Sequence, residues 1–185
     1  MKVKTILFIT YFVLAFCVTF YTFSPTEKYV KVQVELSESS SYDNKTPVSL
    51  LMYELIEKYS TMYGVPKYIA YNVSYRETRY QGPFHWKYNP HQESCVGAVG
   101  PMQVLTSTCN WVNKSHYTKL QVRDNLELNI KTSMKLLSSL HKRYGNWTVV
   151  CGWYNTGKPI INEYARYCGS NKDYKSKWIN LQARL

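Results

Sequence analysis

One carboxylate stands where a proton could be moved. In the stretch Pro66-Lys67-Tyr68-Ile69-Ala70-Tyr71-Asn72-Val73-Ser74-Tyr75-Arg76-Glu77-Thr78-Arg79-Tyr80, the helical period puts Ile69, Val73, Glu77 and Tyr80 on one stripe. Glu77 is thus expected to face the interior or a cleft, in the last turn of its helix. Lost hydration and the negative end of the helix dipole both raise a carboxyl pKa, as a general acid working near neutral pH requires. A plain surface ion pair with the flanking Arg76 and Arg79 remains open on this segment alone.

Two further motifs follow in order. Gly97-Ala98-Val99-Gly100-Pro101-Met102-Gln103-Val104 lies about twenty residues on, and Trp153-Tyr154-Asn155-Thr156-Gly157 comes after a long helical pattern. The elements that must hold them can be read from periodicity. Val48 to Tyr63 carries an amphipathic stripe, and Gly64 and Pro66 separate it from the Glu77 helix. Gln81 to Gly100 has the composition of a loop or small hairpin. Pro101 is expected to open a short helix running to about Trp111. Asp124 and Glu127 have capping-box spacing ahead of a long helix marked by Leu126, Ile130, Met134, Leu137, His141 and Tyr144 and closed by Gly145. A short helix from Thr148 to Tyr154, a turn at Asn155-Thr156-Gly157, an amphipathic helix from Pro159 to Cys168 and a polar tail anchored by Trp178 complete the chain.

Composition limits the classes. The 185 residues are 45% hydrophobic and 16% aromatic, enough for one packed domain with an appendage. From Thr5 to Phe23 the sequence holds no charge and follows Lys2 and Lys4. Such a run can cross a hydrocarbon core of about 30 Å, and the lysines keep its start cytoplasmic. The expected organisation is a signal-anchor at 1–23, a linker at 24–47 rich in Ser, and a domain at 48–185. A signal peptide cleaved near Ser24 is the alternative. The net charge of +11 suits nucleic acid, anionic lipid or acidic wall polymers. With the basic residues scattered and no nucleic-acid motif, nucleic acid is the weakest of these.

Cys95, Cys109, Cys151 and Cys168 are an even set, suited to two disulfides in an oxidising compartment, with neighbours in sequence paired. Neither the cysteines nor His85, His91, His116 and His141 have metal-site spacing, so no metal or cofactor is called for. Asn44, Asn72, Asn113 and Asn146 begin glycosylation sequons that are read as coincidental.

The three motifs, in this order and spacing, resemble those of the soluble-lytic-transglycosylase type of peptidoglycan lytic transglycosylase, over roughly Leu50 to Glu163. That family shows a Glu-Ser pair, then Gly-Ala-x-Gly-Leu-Met-Gln, then Ala-Tyr-Asn-x-Gly. Here Thr78 replaces Ser, Pro101 replaces Leu and Trp153 replaces Ala. Thr78 keeps the hydroxyl and Pro101 stays apolar, whereas Trp153 adds bulk beside the tyrosine.

The resemblance implies a mainly α, lysozyme-like α+β fold. It implies cleavage of the β-1,4 bond between N-acetylmuramic acid and N-acetylglucosamine, with Glu77 as sole acid and base and a 1,6-anhydromuramoyl product. Gln103 would bond the sugar, Met102 would line the cleft, and the backbone at Gly100 would approach the substrate. Tyr154 would reach toward Glu77, and Asn155 would hold the turn. The implied partners are peptidoglycan strands and, through the anchor, the inner (cytoplasmic) membrane, with the domain on the periplasmic side. An envelope-spanning machine or a virion stays open.

Two other readings remain. A hydrolytic muramidase needs a second acid, for which Glu93 is the candidate. A wall-binding or assembly protein without catalysis would not need Glu77. Trp86, Tyr88, Trp111 and Trp153 are candidates for stacking on sugar faces.

Overall fold

The long apolar stripes become the helices that enclose the core. In the computed structural model the described residues are 46–182. The expected anchor, the linker up to residue 45 and residues 183–185 lie outside them. In chain order the helices are α1 (Val48–Tyr63), α2 (Lys67–Thr78), α3 (Thr106–Asn113), α4 (Lys119–Asp124), α5 (Leu126–Tyr144), α6 (Trp147–Thr156), α7 (Glu163–Ser170) and α8 (Ser176–Gln182). Among the described residues no helix is long and apolar enough to cross a membrane.

Helix α5 is the centre. Its Ile130, Met134 and Leu137 are fully buried and share one core with Met52, Leu55 and Ile56 of α1, Ile69 and Val73 of α2, and Val150 of α6. Each such side chain contributes about 1.5–3 kcal/mol on burial. Helix α1 packs on α5 and α2, α6 packs on α5 and α7, and α7 also packs on α2. Thus α2 is held by α1, α6 and α7, and its last turn is where Glu77 sits.

Several expectations are corrected. The β part reduces to isolated bridges, Glu93 with Val99 and Val99 with Val104. Pro101 opens no helix: residues 101–103 form a turn, Gln103 takes a left-handed φ of 50°, and α3 starts only at Thr106. The capping box belongs to Thr118 and Gln121 at the start of α4, while α5 is capped by the Asn125 side chain accepting from the Leu128 N–H. Asp124 instead pairs with Arg123 and His91. Asn155 and Thr156 continue α6 instead of turning, and α7 begins only at Glu163, capped by Asn162.

The disulfides are corrected too. Cys95 is exposed, while Cys109, Cys151 and Cys168 are buried, and all four are free thiols. Cys109 instead lies 3.6 Å from the Thr132 hydroxyl. Asn72 is likewise buried, its amide donating to the Asn171 carbonyl at 2.6 Å, so that sequon is internal to the fold.

The α6–α7 contact depends on a missing side chain. A Cβ on Gly152 would come within 1.8 Å of the Ile160 carbonyl oxygen. Gly152→Ala is expected to push the 157–162 segment off α6 and to cost about 1–3 kcal/mol. Thermal melting of the two proteins checks this, and an unchanged midpoint would refute it.

Candidate active site

Glu77 is half-buried in the last turn of α2, with the chain leaving the helix at Arg79 in a left-handed conformation, φ 62°. Its pKa is pushed up to about 7, chiefly by burial; a hydrogen bond from Tyr164 and the charge of Arg76 pull it down in part. A place in the last turn, at the negative end of the helix dipole, acts in the same upward direction. At neutral pH the group is therefore poised between donating and accepting a proton. The groups that perturb it include no second carboxylate. Glu93, the candidate for that role, is held by the Lys119 ammonium at 2.5 Å on the surface.

Tyr164 was not singled out in the sequence. It sits in the first turn of α7, is 6% exposed, and donates from its hydroxyl to Glu77 Oε1 at 2.5 Å. Burial and the neighbouring carboxylate hold its own pKa far above the ordinary phenol value, so it stays a donor. In the sequence Tyr164 is one of 18 tyrosines, and only the packing of α7 on α2 marks it out. Tyr164→Phe removes a bond that favours the carboxylate, so the Glu77 pKa is expected to climb further above about 7. Carboxyl carbon NMR titration checks this; a pKa that falls would contradict the assignment.

Tyr154, in α6, does not bond Glu77. Its hydroxyl donates to the Met102 carbonyl at 2.7 Å and lies 3.1 Å from Ser133 Oγ on α5. Met102 itself is a correction: its side chain is fully buried in the core and lines no cleft. Its backbone is what matters, because its N–H donates to Asn129 Oδ1 at 3.0 Å while its carbonyl takes the Tyr154 proton. Asn155 is exposed near the end of α6 and accepts from the Asn162 amide at 3.0 Å, which ties α6 to the cap of α7.

Gly100 is also not where the resemblance implied. It is buried at φ 78°, and a Cβ there would meet Asn129 Nδ2 at 2.3 Å. The missing side chain makes room for Asn129. Fully buried on α5, Asn129 donates to the Val99 carbonyl at 2.9 Å and the Val122 carbonyl at 3.0 Å. Asn129 and Ser133, one helical turn apart beside the apolar stripe, are the second signal the sequence held unread.

On this base Gln103 is half-buried and fixed. Its amide nitrogen donates to the Gln92 carbonyl at 3.1 Å and the Gly100 carbonyl at 2.9 Å. Both N–H donors are thereby used, and the amide oxygen is left to accept from a ligand N–H. Thr78 joins this loop to α2: its hydroxyl donates to the Pro101 carbonyl at 2.9 Å and lies 2.7 Å from the Tyr88 hydroxyl. Of the aromatic candidates, Tyr88 is buried and Trp153 packs on the core, whereas Trp86 and Trp111 are exposed. Among the described residues no group of three acidic, His or Cys side chains could hold a metal ion.

The arrangement is one near-neutral acid with a buried tyrosine donor, on a helix end that Thr78 joins to a loop offering an amide. It resembles known enzymes in fold. The 70-kDa soluble lytic transglycosylase of Escherichia coli matches with TM-score 0.53 and 19% identity over 70% of this chain. A complex of the 70-kDa soluble lytic transglycosylase with bulgecin A matches with TM-score 0.53 and 20% identity over 70% of this chain. An inactive variant of the lytic transglycosylase Slt of Pseudomonas aeruginosa matches with TM-score 0.51 and 17% identity over 77%. This chain spans only about a quarter of their lengths: 24%, 24% and 26%. No curated protein matches by sequence. The profile of the transglycosylase SLT domain matches residues 54–177, two thirds of the chain, with Glu77, Gln103 and Tyr154 inside it. The chain belongs to the transglycosylase SLT domain family.

Proposed function

We propose that this chain is a peptidoglycan lytic transglycosylase that cleaves the β-1,4 bond between N-acetylmuramic acid and N-acetylglucosamine and leaves a 1,6-anhydromuramoyl end. The observation that carries the reading is the Glu77 carboxyl, pKa about 7, with no second carboxylate among the groups that perturb it. The protonated acid gives its proton to the glycosidic oxygen as the bond to the anomeric carbon breaks. The carboxylate then takes the proton of the 6-hydroxyl of the same muramoyl unit. That oxygen closes the ring on the anomeric carbon, and the acid is restored.

A pair of carboxylates, as hydrolysis by two-acid glycosidases requires, is not needed for this route. Tyr164 holds the carboxylate in place through both half-steps. The Gln103 amide oxygen is set to accept an N–H from an acetamido group, and its fixed geometry supports orientation of the sugar. Residues 1–23 would tether the domain to the cytoplasmic membrane, with the catalytic part on its outer side.

The test is mass spectrometry of fragments released from purified peptidoglycan by the full chain, with Glu77→Gln as control. Muropeptides one water lighter than reducing-end products, absent with the control, are expected. Reducing ends would replace the reading with a hydrolytic muramidase. No Glu77-dependent product from folded protein would leave a wall-binding role.

A further inference from the structure

Where the end of α2 meets α7 and α8, the surface carries more positive charge than its acids match. Arg76 and Arg79 come from the end of α2, and Lys177 comes from α8. They share three tyrosine rings: Tyr75 of α2, and Tyr164 and Tyr167 of α7. Lys177 Nζ lies 4.3 Å from the centre of the Tyr75 ring and 5.3 Å from that of Tyr167, and it donates to the Tyr167 hydroxyl at 2.7 Å. The Arg79 guanidinium is 5.3 Å from the Tyr75 ring. Arg76 is 5.6 Å from the Tyr164 ring and 5.5 Å from the Tyr167 ring. The Tyr75 and Tyr167 rings are 6.1 Å apart. The six side chains form one continuous patch that ends, through the Tyr164 hydroxyl, on the catalytic carboxyl.

Among the described residues the patch has one carboxylate partner. Glu163 is 3.6 Å from Arg76, and its side chain is 88% exposed, so it neutralises little. Among the described residues Arg79 and Lys177 take part in none of the ion pairs. Ring faces attract cations only modestly in water, and three like charges repel. Arg76 also opposes the proton that Glu77 must hold. Such a patch is costly for the free protein and becomes favourable when an anion sits on it.

We propose that this patch binds the carboxylates of the peptide carried by the muramoyl residue whose bond is cleaved, an inference that rests on the peptidoglycan reading above. The patch touches Glu77 through one side chain, so its anion must belong to a substituent next to the reacting bond. The N-acetylated sugars are neutral, and on an intact strand the acidic groups nearest that bond are those of the peptide on the muramoyl lactyl group. Bound there, the peptide also offsets the local charge of Arg76.

The experiment compares two probes on the full chain by calorimetry: N-acetylglucosaminyl-N-acetylmuramoyl tetrapeptide with free carboxylates, and the same compound with every carboxylate converted to the primary amide. Neither contains the scissile bond. The free acid is expected to bind at least about 10-fold tighter at 50 mM salt, with the ratio falling toward one at 500 mM as charges are screened. In Arg79→Gln/Lys177→Gln the ratio should be near one at low salt, and in Arg79→Lys/Lys177→Arg it should persist.

Equal affinities in the native chain, or a ratio that survives in the folded Gln variant, would overturn the proposal. Were the Gln variant unfolded by circular dichroism, the salt series on the native chain would decide alone, and a ratio indifferent to salt would overturn it. Binding is read without cleavage, so a chain that releases no Glu77-dependent fragment would refute the transglycosylase reading while this ratio still judged the patch.

Discussion

Glu77→Gln is expected to lower the release of muropeptides by about 10³-fold or more and, at pH 8, to make the folded chain more stable than the native one. The first effect follows because one group serves as acid and then as base, and proton transfer by a positioned side chain is worth about 10²–10⁴-fold. The second follows from linkage. The carboxyl has a pKa of about 7 folded against the ordinary value of 4.5. Below pH 4.5 it is protonated in both states and contributes no difference.

Between those values the folded protein keeps a proton that the unfolded chain has released, so stability falls as pH rises. Above pH 7 the penalty is complete, at most about 3 kcal/mol, and reduced by the water that still reaches a half-buried group. Gln removes the penalty and still accepts from Tyr164. Urea unfolding at pH 4, 6 and 8 should show the gap between variant and native chain opening with pH. A gap of constant size would mean that Glu77 does not titrate in this range. The native cleavage rate should in turn fall as pH rises past about 7, as the acid form is lost.

Asn129→Leu is expected to destabilise the domain by about 4 kcal/mol and to abolish productive binding at Gln103. Leucine fits the volume but leaves the Val122 carbonyl and the Met102 N–H without their buried partner, and the Val99 carbonyl with only the Val104 N–H. Each unsatisfied group costs about 1–3 kcal/mol. The damage is directed, because those groups anchor the turn that sets the left-handed Gln103. Denaturant unfolding measures the first part, and affinity for a chitin oligosaccharide under conditions where the variant is folded measures the second. Stability within about 1 kcal/mol of native would show that the turn holds itself.

What was legible in the sequence was what repeats. The stripe of α1 gave its bounds, Val48–Tyr63, and the phase of α2 placed Glu77 toward the core side with a raised pKa. The long α5 and its closure at Gly145 followed from the same period. What was not legible depends on single long-range bonds. Pro101 looks like a helix start, yet its carbonyl is taken by Thr78 and the next residues are bent by Gln103. Met102 reads as a cleft residue in its motif, but only the packing shows its side chain in the core and its backbone held by Asn129 and Tyr154. Tyr164 lies 87 residues from Glu77, and no periodicity couples such a pair.

The hydroxyl of Thr78 meets the carbonyl of Pro101 across 23 residues, so the chain from Arg79 to Gly100 departs from and returns to the same point. Its two ends are fixed by the fold, whatever its contour. Lengthening such a closed excursion costs only about 0.6 kcal/mol for each doubling. Its outer tip at Cys95 and Val96 is exposed, whereas Tyr80 and Tyr88 nearer the base are buried. The tip is therefore the place where this domain can accept an inserted segment without changing the separation of Glu77 and Gln103, and along which relatives on this scaffold can diverge in length while keeping one chemistry.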